Sequence, residues 1–144
     1  MDQEKIPIRC KISTSDSDAA LGIRVLLDGQ VIFEKNHVTN TENFECWLDN
    51  TEQQHDLQFE MFGKTAEHTK IDASHNIIQD AHLSISEFSL DDIDLASFAN
   101  FDYCHDFNGT GNAVTDKFYG YLGCNGTVTV KFTTPIYLWL LENL

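Results

Sequence analysis

The sequence predicts an all-β fold, a two-sheet antiparallel β-sandwich of jelly-roll type. Three observations carry that prediction. The stretch Asp56-Leu57-Gln58-Phe59-Glu60-Met61 alternates apolar and polar residues, which is the period a half-buried strand needs. The same alternation returns in several other short stretches, each bounded by turn residues. No long helical pattern and no βαβ alternation competes with it.

The first strand is expected over 6–12. Pro7 cannot donate a ladder hydrogen bond, so it calls for an edge or strand-start position. A polar loop over 13–18 follows. Apolar residues at 21, 23, 25 and 27 then mark a strand that turns at Asp28-Gly29 into Val31-Ile32-Phe33. Both turn residues tolerate the positive φ of a tight hairpin. In the next strand Phe44, Cys46 and Leu48 face the core, while Trp47 and Glu45 face outward. After the turn at 49–54 the strand from His55 sends Leu57, Phe59 and Met61 inward. A short hairpin is expected around Ala73-Ser74-His75, and 81–88 puts Leu83 and Ile85 on one face. The period over 90–98 is ambiguous between a helical turn and a short strand. Strand returns over 101–107. A hairpin is expected to pair 118–122 with 127–132, with Val128, Val130 and Phe132 inward. Pro135 opens the last segment, 136–144.

A chain of 144 residues is most simply one domain, 1–144. At 42% hydrophobic it can build a core, so it is not a disordered chain. The net charge of −14 repels phosphates, which argues against nucleic acid and against an anionic membrane surface. No apolar run approaches the roughly 18 residues of a membrane span. Met1 is followed by Asp2, Gln3 and Glu4, with no basic and then apolar leader, so synthesis in a cytosol with reduced thiols is expected. Cys10, Cys46, Cys104 and Cys124 form no CxxC pair, which disfavours zinc and reads as free buried thiols.

No catalytic motif is present: no G-x-S-x-G, H-E-x-x-H, P-loop or G-x-G-x-x-G. The six histidines lack metal-ligand spacing, so the chain reads as a non-enzyme without catalytic residues. Calcium is the one candidate cofactor. It takes six to eight oxygens from flexible loops, and two acidic clusters offer them: Asp16 with Asp18, and Asp91, Asp92 and Asp94. Neither matches the EF-hand pattern, and solvated acidic loops explain both as well. Trp47, Tyr119 and Tyr121 are candidate exposed aromatics, able to stack on a sugar ring or simply to cover a sheet face. At the C-terminus, alternation puts Tyr137, Trp139 and Leu141 on one face, with Leu138 and Leu140 on the other. A strand apolar on both faces must be covered on both, inside the sandwich or by another chain, and an interface is expected. Asn108-Gly109-Thr110 and Asn125-Gly126-Thr127 match the N-glycosylation pattern but read as turns.

Three of these pieces resemble a known family. They are Val25-Leu26-Leu27-Asp28-Gly29-Gln30-Val31, His55-Asp56-Leu57-Gln58-Phe59 and Leu90-Asp91-Asp92-Ile93-Asp94-Leu95. Their layout resembles β-sandwich carbohydrate-binding modules, in particular the calcium-dependent xylan-binding type. The resemblance covers roughly the first two-thirds of the chain and implies a glycan ligand and a calcium near the late acidic strand. The last third departs from it. With the loop Gly63-Lys64-Thr65-Ala66-Glu67-His68-Thr69-Lys70, that part looks like small proteins of tailed bacteriophages infecting cyanobacteria. This second likeness implies a protein made in the host cytoplasm and displayed on a virion.

Two functions follow as expectations. The first is a non-enzymatic structural protein that forms a homo-oligomer or joins other virion proteins. The alternative is a module for a surface glycan, with calcium as its cofactor.

Overall fold

The computed structural model describes residues 5–65, 69–95, 102–105, 114–118, 120–123 and 125–143. In chain order the strands are β1 (Lys5–Thr14), β2 (Gly22–Leu27), β3 (Gln30–Lys35), β4 (Glu42–Asp49), β5 (Gln53–Phe62), β6 (Thr69–Ile71), β7 (Ile77–Asp80), β8 (Leu83–Leu90), β9 (Ile93–Asp94), β10 (Asp102–His105), β11 (Val114–Lys117), β12 (Tyr121–Leu122) and β13 (Gly126–Thr134). One helix, α1 (Ile136–Asn143), follows.

Two antiparallel sheets form the sandwich. The first runs β12-β8-β1-β4, with β9 folded back on β8. The second runs β11-β10-β13-β5-β2-β3. The hairpin β6-β7 stands apart as its own small sheet, as its turn residues predict. The alternation read from the sequence decides what faces what. Ile6, Ile8, Cys10 and Ile12 of β1 join Leu83, Ile85, Phe88 and Leu90 of β8 in the buried core. Ile23, Val25, Leu57, Phe59, Met61, Val128, Val130 and Phe132 come to it from the second sheet. Each such side chain contributes about 1.5–3 kcal/mol by leaving water.

Two tight turns use positive φ. Asp28 and Gly29 take φ 52° and 83° between β2 and β3, and Asp91 and Asp92 take 53° and 61° between β8 and β9. The ambiguous stretch is therefore a strand hairpin as far as Leu95, and 96–98 lie outside the described residues. In β8 the buried positions fall at 83, 85, 88 and 90, so one residue is added midway. That residue is accommodated by a bulge: Arg9 pairs Ser89 and Lys11 pairs Ser86, with Glu87 at φ 52°.

Strand β1 is central, and Pro7 takes the second of its two expected positions, near the strand start and beyond the last β8 pairing at Ile8 and Leu90. Two expectations are corrected. The hairpin expected between 118–122 and 127–132 does not form. Strand β12 pairs with β8 in the first sheet, while β13 lies between β10 and β5 in the second. The chain thus crosses the sandwich between Leu122 and Gly126, and alternation alone cannot tell a crossing from a hairpin. Second, the terminal apolar segment is helix, not strand. Leu and Glu are good helix formers, and Ile136 alone among its residues is β-branched.

Candidate functional site

The outer face of the first sheet gathers the exposed indole of Trp47 and several charge pairs. Register builds it. Lys5, Pro7, Arg9 and Lys11 of β1 stand opposite Asp49, Trp47, Glu45 and Asn43 of β4. Side chains directly opposite on antiparallel strands are neighbours on one face. Trp47 is 52% exposed although it belongs to the largest side-chain type. It is nonetheless held in place. Its Nε1 donates to Glu45 Oε1 at 3.2 Å, and the Arg9 guanidinium lies 5.5 Å from its ring centroid. Pro7, opposite the indole, is buried.

Arg9 ties this corner to the β8–β9 turn. Its Nε donates to Glu45 Oε2 at 2.6 Å and its Nη1 to Asp92 Oδ1. The hydrogen bond to Glu45 raises the guanidinium pKa against a lowering by desolvation, and Asp92 adds to the rise. The Arg9 bond holds the Glu45 carboxyl below its usual value, with the indole N–H adding to it. Both groups stay charged through the neutral range, so the corner is a fixed ring plane bordered by hydrogen-bonding groups.

Tyr121 lies on the same face at the opposite corner. It pairs with Ser84, which pairs with Ser13 of β1. Tyr121 is 61% exposed and meets His82 edge-on, with ring centroids 5.3 Å apart. The structure therefore puts Trp47 and Tyr121 on one surface but does not bring them together. Tyr119 lies outside the described residues.

The structure does not bring the two aspartate groups together. Asp16 Oδ1 accepts the Asp18 backbone N–H at 3.0 Å in the loop after β1. Asp91 and Asp92 form a turn whose N–H reaches Pro7, and Asp92 pairs with Arg9. Asp94 is exposed on β9. The two groups sit toward opposite ends of β1, roughly 20 Å apart at about 3.3 Å per residue. Among the described residues no three His, Cys, Asp or Glu side chains could hold a metal ion.

The expected C-terminal interface is also redrawn. A helical period turns Trp139 inward, where it is 9% exposed and packs edge-on against Phe132. Tyr137, Leu138 and Leu141 stay exposed, and at spacings of one and four residues they share a side of α1. Of the cysteines, Cys10 and Cys46 are free and turned to the core. Burial pushes the Cys10 thiol up to about 12, helped by Cys46, and burial with Glu45 pushes Cys46 up to about 11. Both are inert at neutral pH. Cys104 is free but exposed, against expectation, and Cys124 lies outside the described residues. Asn125 exchanges hydrogen bonds with the Lys64 backbone at 2.9 Å in both directions, the turn role its sequence suggests.

Arg9 was not legible as a partner of Trp47. Alternation already sets Glu45 beside the indole on β4, but only the β1–β4 register brings Arg9 to them. A second pair was missed too: His55, buried at the start of β5, sets Nδ1 2.7 Å from Asp28 Oδ2.

No protein-family model and no curated protein matches the chain. Among solved structures it is similar to one described as "vCBM60 in complex with galactobiose". The identity is 12% and the TM-score 0.44, over 88% of this chain and 96% of that one. Galactobiose is that protein's ligand.

Proposed function

We propose that the chain binds carbohydrate, with Trp47 as the stacking platform on the outer face of the first sheet. The observation that supports this is the indole itself, half exposed yet fixed by Glu45 and Arg9. An aromatic plane held in water loses little freedom when a pyranose ring stacks on it, and Glu45, Asp92 and Arg9 offer acceptors and donors to its hydroxyls. The competing explanation is that Trp47 only covers Pro7.

Affinity electrophoresis and titration against soluble xylan, galactan and β-glucan separate the two. Trp47→Ala is expected to weaken binding at least tenfold, about 1.4 kcal/mol, with Trp47→Phe intermediate. The exposed indole should also report binding by a shift in emission that buried Trp139 does not share. Absence of binding to any of these glycans, or equal binding by Trp47→Ala, sinks the reading.

Self-association is a second reading, and with it the virion assembly that the phage-like segments imply. It draws support from Tyr137, Leu138 and Leu141, three large apolar side chains left exposed on one side of α1. Light scattering after size exclusion tests it. A multimer that Leu141→Glu converts to monomer supports it, and a monomeric parent chain ends it.

A further inference from the structure

We infer that this surface takes an extended, uncharged polysaccharide chain held at two corners. The inference rests on the carbohydrate reading above and adds the length and charge of the ligand. Trp47 and Tyr121 lie at diagonal corners of one face. Tyr121 is level with Ser84 and Ser13, and Trp47 is level with Pro7. Six residues of β1 separate those levels, roughly 20 Å, and three strand spacings separate β12 from β4, about 14 Å. The diagonal is therefore about 25 Å, the length of several pyranose rings end to end and far beyond one.

What lies between the corners is a polar floor. By register the diagonal passes Ser86 on β8 and Arg9 on β1, with Ser84 and Ser89 beside it. Small hydroxyl side chains let a chain lie close to the sheet and bond its hydroxyls. The charge on this face selects against acidic glycans. Arg9 is paired with Glu45 and Asp92, Lys11 with Glu87 at 2.9 Å, and Lys5 with Asp49 at 4.0 Å. A uronate or sulfate would meet cations already carrying carboxylates, on a protein of net charge −14. A neutral chain avoids that repulsion. Two anchors on one chain make the second contact intramolecular, so affinity should grow with ligand length until both are reached.

The test is isothermal titration of the full chain with neutral oligosaccharides from disaccharide to hexasaccharide, taken from xylan, galactan and β-glucan, and with oligogalacturonates of the same lengths. For the glycan that binds, affinity should rise at least tenfold from disaccharide to hexasaccharide, as about 1.4 kcal/mol from the second anchor requires. Tyr121→Ala should remove that gain, while Tyr121→Phe keeps it. Trp47→Ala should weaken every length. Affinity independent of length, or a Tyr121→Ala variant that still gains with length, overturns the two-corner inference and leaves the carbohydrate reading standing. Oligogalacturonates that bind as tightly overturn the uncharged ligand. No binding at any length overturns both.

Discussion

Asp28 shows how much one turn residue can hold. Its φ of 52° lets the β2–β3 hairpin close. Its Oδ1 accepts the Asp56 N–H at 2.8 Å, its Oδ2 takes the His55 ring at 2.7 Å, and its own N–H reaches Asp56 O. The turn was readable from Asp28-Gly29 because both residues accept positive φ. The His55 contact was not, since it joins positions 27 apart through a register that composition does not encode. Asp28→Ala removes two acceptors and strains the turn, so a loss of about 2–3 kcal/mol is expected in chemical denaturation. The pH dependence has a definite sign. Burial pushes the Asp28 carboxyl up, but the Asp56 N–H and the His55 ring outweigh it and hold the carboxyl below its usual value. A group with a lowered folded pKa stabilises above its unfolded value and loses that contribution as pH falls through the folded one. Thermal melts should therefore fall more steeply below about pH 4 in the parent than in Asp28→Asn, which tolerates the same turn without titrating. Parallel curves would show that the carboxylate contributes nothing there.

At the scale of elements, α1 marks where sequence reading failed for a physical reason. A short run apolar at nearly every position carries neither a period of two nor one of 3.6, so periodicity cannot choose between strand and helix. The β8 bulge is the opposite case: its buried positions at 83, 85, 88 and 90 carry the extra residue openly in their spacing. The helix docks through Ile136 and Trp139, the latter against Phe132 of β13. Trp139→Ala should cost about 3 kcal/mol by emptying that contact, whereas Leu141→Ser, on the exposed side, should change stability by less than about 0.5 kcal/mol. Equal effects from the two would mean that α1 does not dock as described. A second test probes the sheet surface. A Cβ on Gly22 would lie 2.4 Å from the Phe62 ring, which is stacked 4.8 Å from the Arg24 guanidinium. Gly22→Ala must displace that ring, at an expected cost of about 1–3 kcal/mol in denaturant titration. A neutral result would show that Phe62 swings away freely.

For the whole molecule, the two-layer architecture was legible because inward positions two apart mark nearly every core strand. Strand order was not, and the site depends on strand order: Trp47 and Glu45 gain Arg9 only because β1 lies beside β4. Charge acts at this same scale. The chain carries 23 acidic and 9 basic residues, so acidic groups exceed basic ones by 14. Arg9, Lys11, Arg24 and Lys35 pair with carboxylates at the surface, where solvent screening keeps such pairs weak. Salt weakens those pairs, but it also screens repulsion among the unmatched acids, with a Debye length near 8 Å at about 0.15 M. Weak, short-range attractions that already partly desolvate their partners lose less than a long-range excess of like charge gains. The melting temperature should therefore rise as sodium chloride increases from low salt to about 0.15 M, then level off once the Debye length falls below the spacing of neighbouring acids. A melting temperature that falls steadily over the same range would mean that the paired charges, and not the unmatched ones, set the electrostatic balance of this sandwich.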